Sequence, residues 1–129
     1  MSVTPALTLA SLAREHVAER LGAYGIDAVL DAGTFYPEPG RVLVGLPSLT
    51  ARTLAGATYT VPVYVVSRDP LNDTLAVDRL YTTADTAADA LDVAVYDERP
   101  WAGGTNQDPL PALWLTATVS LNYQPASEV

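Results

Sequence analysis

The sequence predicts an α+β domain with a mixed, mainly antiparallel sheet and two helices packed on one face. Three observations predict it. Residues 56–68, GATYTVPVYVVSR, are rich in Val, Tyr and Thr, the residue types that suit a half-buried pleated surface. Residues 113–123, LWLTATVSLNY, alternate strictly between apolar and polar, which marks an antiparallel strand with one buried face. Two further segments carry apolar residues at helical spacing. They supply the cover that a long strand needs for its apolar face.

Taken in order, Thr4 and Pro5 read as N-cap and first helical position. Leu9, Leu12, Ala13, His16, Val17, Leu21 and Tyr24 then make one apolar stripe of a helix over residues 4–23. Arg14, Glu15, Glu19 and Arg20 lie mostly off it. Gly22 and Gly25 offer stops through left-handed backbone. Residues 26–30 are a short strand or the continuation of a turn. Residues 31–40, with two prolines and two glycines, are a loop. Residues 41–46 read as a strand, and residues 48–54 as one arm of a hairpin that turns at Ala55, Gly56 and Ala57.

Pro62 interrupts the longest strand and lacks a ladder donor. It predicts a bulge or a position facing an open sheet edge. A second helix follows over residues 72–91, with a stripe of Val77, Leu80, Ala84, Ala87, Ala88 and Leu91. Asp73, Asp78, Asp85, Asp89 and Asp92 fall largely elsewhere. Residues 93–96 read as a short strand, residues 97–111 as the longest loop, and residues from about 124 as a frayed tail. The chain, 1–129, reads as a single domain.

Bulk composition narrows the function. No apolar run approaches the roughly 18 residues of a membrane span. The opening MSVTPALTLASLAREH lacks a basic n-region and an unbroken apolar h-region, so no secretion signal is expected. Cysteine is absent, which excludes disulfides and thiol catalysis. Seven basic residues, all Arg, face fifteen acidic ones, for a net charge of −8. That balance argues against gripping a phosphate backbone, which needs clustered cations. It is compatible with a surface past which DNA slides by mutual repulsion.

No catalytic, metal or cofactor motif stands out. His16 is the sole histidine. As a general base it would need a partnered group nearby, and the plainer reading is a histidine at the rim of the core. The aspartates of the second helix spread around its surface, where a solvated face is the default over a cation site. Gly103-Gly104 lacks the Lys-Ser/Thr end of a phosphate loop. The aromatics in loops are more telling. Phe35, Tyr36 and Pro37, with Pro100 and Trp101, are candidate interface anchors. The competing reading folds them back onto their own domain as lids over a sheet edge.

The order of these pieces resembles a known family. An amphipathic helix opens a short acidic chain. TFYPEPGRVLVGLPSL and GATYTVPVYVVS follow, then an Ala-rich helix begun by Asp-Pro. A Gly/Pro loop and the terminal ALWLTATVSLNY close it. This texture is similar to the tail terminator and tail completion proteins of long-tailed phages, especially those of high-GC hosts. The resemblance implies a structural virion protein with no cofactor and no reaction. It implies a ring of copies, usually six, that caps the tail tube and joins it to the head connector, with DNA passing through unbound. The place would be the neck end of the tail, assembled in the host cytoplasm. Another neck component, such as an adaptor or stopper, is the alternative. A small enzyme or ligand-binding module using His16 or residues 97–111 is a third reading.

Overall fold

The computed structural model describes residues 5–68, 74–94, 96–102 and 109–122, with side chains from Leu9 onward. Expectations for Thr4, Asp73 and the rest of 69–73, Val95, Gly103-Gly104, Tyr123 and the tail fall outside these residues. The elements run α1 (Pro5–Ala23), β1 (Asp27–Val29), β2 (Arg41–Val44), β3 (Ser48–Arg52), β4 (Gly56–Val66), α2 (Thr74–Leu91), β5 (Asp97–Glu98) and β6 (Ala112–Asn122). The six strands form one sheet in the order β1-β2-β4-β6-β5, with β3 paired to β4. Only β1–β2 is parallel. The α+β class and the mainly antiparallel sheet are as the sequence predicts.

Both helices lie on one face. α1 buries Leu9, Ala13, Val17 and Leu21, a narrower stripe than its spacing predicts. Leu12 and Tyr24 lie on its flank and stay exposed. α2 buries Leu80, Ala84, Ala87, Ala88 and Leu91 as predicted, and adds Ala76, Thr83 and Ala90, while Val77 is half-buried. The small side chains let this helix lie close to the sheet. Beneath both helices the alternating Tyr59, Val61, Val63 and Val65 of β4 meet Leu113, Leu115, Ala117 and Val119 of β6.

Both helices end in the same way. The Ile26 amide donates to the Leu21 carbonyl and the Gly25 amide to Gly22, with Gly25 at φ 81°. The Val93 amide donates to the Ala88 carbonyl and the Asp92 amide to Asp89, with Asp92 at φ 56°. A left-handed residue thus turns the chain, and the apolar residue after it drops back onto the core. This corrects the strand expected over 93–96. Val93 is committed to the helix cap, and strand pairing starts only at Asp97.

Pro62 neither bulges β4 nor faces an outer edge, which corrects both expectations. The β4–β6 register runs from Gly56↔Asn122 to Val66↔Ala112 without a shift. The neighbour on the other side is what breaks. β2 pairs up to Val44↔Val63, and β3 resumes at Ser48↔Thr60. The Gly45 amide donates to the Pro62 carbonyl at 2.7 Å. A strand residue points its nitrogen and carbonyl to the same side, so the missing N–H falls in the gap between β2 and β3, where no ladder bond is lost. Gly45 is required there: a Cβ would stand 2.7 Å from Pro62 and 2.8 Å from Tyr64 side-chain atoms. The β3–β4 pairing does shift register, but the extra residue lies on β3, between Leu49 and Ala51.

Candidate functional site

The sheet face away from the helices is divided. Among the described residues, loops cover it at one end and nothing covers it at the other. The covered end holds Phe35, Leu43, Val66, Trp101 and Ala112 in a second apolar cluster. Phe35 and Trp101 meet edge to face, centroids 5.5 Å apart. Trp101 and Leu110 exchange both backbone hydrogen bonds at 2.8 Å, so residues 97–102 continue as a partner of β6 and are not free loop. This corrects the expectation for Trp101, which is 6% exposed, and for Phe35 and Pro37, which are buried as well. An apolar ring gains more from the sheet at hand than from water, and these three act as lids. Tyr36 and Pro100 remain on the surface. The Tyr36 ring lies under the Arg68 guanidinium at 5.1 Å, and its hydroxyl accepts from Arg68 at 2.7 Å.

Beside the lids runs an open groove of about 750 Å³ between residues 30–32, the β2–β3 break and the sheet face. Tyr64 and Trp114 meet edge to face along it, 4.8 Å apart. Its charged lining residues are Arg14 and Asp31. Arg14 is occupied structurally. Its guanidinium donates to the carbonyls of Gly45 at 3.0 Å, Val44 at 2.9 Å and Leu30, closing the point where β1 and β2 part. Asp31 accepts from the Gly33 amide at 2.9 Å. Among the described residues no second acid and no histidine line this groove, so no acid–base pair converges there among them.

His16 does not join the core rim, which corrects that expectation. It is exposed on α1 and lines none of the three hollows at the surface described here. Among the described residues no group of three or more His, Asp or Glu could hold a metal. Asp78, Asp85, Asp89 and Asp92 are exposed, as expected of a solvated face. Two of the acids act as acceptors. The Tyr96 hydroxyl donates to Asp85 and the Tyr81 hydroxyl to Glu98, each at 2.7 Å. The hydrogen bond to Asp85 pushes the Tyr96 phenol up to about 12, with burial and the carboxylate charge adding to it. Tyr81 is raised by its bond to Glu98, again with burial and charge adding.

The bare end of the sheet is a three-stranded arm of β3, β4 and β6. Of the chain's charged residues only Arg52 falls within Ser48–Arg52, Gly56–Val66 or Ala112–Asn122. Its open face presents Ser48, Thr58, Thr60, Thr116, Thr118 and Ser120, and Thr58 and Ser120 share a hydrogen bond at 2.9 Å. Every residue of β3 is exposed. Leu46, Leu49 and Leu54 around it are 75%, 52% and 102% exposed. Scattered exposed leucines are ordinary, but three within residues 46–54 of one hairpin whose single charge is Arg52 have the composition of an interface core. The sequence held this signal in its charge-free runs over 42–51, 53–67 and 109–127. Compared with known proteins, the chain matches no family model and no curated sequence.

Replacing Trp101 with Ala is expected to cost the isolated chain about 3–5 kcal/mol in urea denaturation, the usual range for a buried aromatic. Tyr36→Ala is expected to cost about 1 kcal/mol or less. A surface anchor at Trp101 would leave the isolated chain's stability unchanged. The Tyr96 contact has a definite pH signature. Its folded value lies above the ordinary 10.0, so its stabilisation is complete below pH 10 and is lost as pH rises through about 12. In an alkaline absorbance titration, Tyr96→Phe should remove one late-titrating phenol.

Proposed function

We propose that the chain is a structural virion protein of the tail-terminator kind, working as a ring that caps a tail tube and meets the head connector. The observation that carries this reading is the leucine-studded arm, whose strands hold Arg52 as their one charge, on an otherwise acidic molecule. Such a surface buries well against protein and offers nothing to a phosphate backbone. Head-to-tail contacts between copies close into a ring when the rotation allows, and a rigid two-layer domain suits that use. The acidic remainder, at a net charge of −8, would let DNA pass without sticking. The work done is recognition of shape, with no bond made or broken.

The test is a mass measurement of the purified chain alone and with its cognate tail tube protein. A ring of about six copies of the 13.6 kDa chain on the tube is expected. A chain that stays monomeric and unbound in the presence of tube contradicts the proposal. Localisation to the portal side in negative-stain images would assign it to another neck component.

A further inference from the structure

The backbone of β6 has two sides, and the structure accounts for one. The Pro62 carbonyl faces Gly45, so Pro62 and its cross-strand partner Thr116 form a non-hydrogen-bonded pair, and Thr116 directs its N–H and C=O away from β4. The alternation then places Trp114, Thr118, Ser120 and Asn122 the same way. Four bonds agree with this parity. The Ser67 amide reaches inward to Pro111, whereas Ala112 accepts from Arg99 and Leu110 exchanges two bonds with Trp101 on the outer side. β5 lies along the outer side opposite Leu113 and Trp114, and of these two Trp114 points its backbone groups toward it. Among the described residues no strand pairs with the outer edge over residues 116–122. That edge has none of the usual guards: no charge, no proline and no bulge.

We propose that this edge takes strand β3 of a second copy, in parallel. β3 forms the opposite border of the same arm, and among the described residues only β4 pairs with it. Each copy therefore brings both halves of the contact. β3 and β6 are each antiparallel to β4, so they run the same way, and a rotation carrying one copy onto the next keeps that direction. Side chains fit the pairing. Leu49, Tyr59 and Val119 lie in one row on the helix face. The next copy's Leu49 would extend that row and cover a leucine that is now half in water.

Charge disfavours the alternative of two β6 edges meeting about a two-fold axis. α2 packs over β6 and β4, with Asp78, Asp85, Asp89 and Asp92 exposed. A two-fold pairing would set two such helices side by side, whereas the head-to-tail pairing brings one toward the arm border that holds Arg52. The number of copies in the closed assembly rests on the ring reading above; the contact itself does not.

The chain has no cysteine, so introduced thiols report only the chosen contact. Thr118→Cys with Ser48→Cys places one thiol on the open face of each border, in the same row of the proposed register. Mild oxidation of the double variant should give a ladder of dimers, trimers and larger species. Each single variant should stay monomeric, and a mixture of the two singles should stop at dimers. Thr118→Pro, which removes an outward N–H, should lower the yield at least tenfold in a Cys pair at Ser120 and Ala51. That second pair also serves if the first double variant fails to fold. A folded double variant that stays monomeric at high concentration, or a dimer from Thr118→Cys alone, overturns the proposal. A ladder without tube binding would uphold the edge contact and sink the tail-terminator reading. Tube-bound rings without cross-links would do the reverse.

Discussion

The antiparallel pairing of β4 with β6 is the constraint on which the rest depends. It joins Gly56–Val66 to Ala112–Asn122 without a register shift. Because side chains alternate, this one register decides which residues face the helices and which face away. It also decides which backbone groups face each neighbour. Proline at position 62 is tolerated only because the β2–β3 strand line breaks beside it. Gly56 secures the far end: a Cβ there would lie 2.1 Å from the Leu121 carbonyl oxygen. No larger residue could keep the two strands so close.

Around this pair the molecule is asymmetric. The helix face is sealed by α1 and α2, whose alanines and leucines repeat at helical spacing. Among the described residues, the opposite face is covered where Phe35, Trp101 and Leu110 lie over one end of it. Charge follows the same division. Acids lie on α1, β1, α2 and β5 and in the connections, and the strands of the arm hold Arg52 as their one charged residue. A border with so little charge on a molecule of net charge −8 favours contact with protein there, and our functional proposal is built on that segregation.

Much of the fold was legible because it is written in local periodicity. The alternation of residues 113–123 and the helical spacing of Leu80, Ala84, Ala87 and Leu91 each follow from one element alone. What failed depends on contacts between distant segments. Trp101 looks exposed in a Pro/Gly-rich stretch, yet its cover comes from Phe35 and a bridge to Leu110. Arg14 falls off the apolar stripe of α1, but its side chain is long enough to reach three carbonyls of the sheet. Residues 93–96 have strand composition, and the left-handed Asp92 turns Val93 into a cap instead. His16 was placed by spacing alone, and the buried stripe proved narrower than that spacing. The functional surface was half legible: the charge-free runs are plain in the sequence, but only the sheet order shows that they border one arm.

The central claim is that β6 is bonded to β4 along its whole length, whereas among the described residues its other side has no strand partner over residues 116–122. Residue-resolved amide exchange on the dilute chain measures this directly. The account predicts alternation, with Ala117 and Val119 protected by β4 and Thr118 and Ser120 exchanging quickly. It also predicts that the fast set slows as concentration rises and copies pair. Equal protection of Thr118 and Val119 at the lowest concentration would mean that the chain covers its own edge, and would contradict the account.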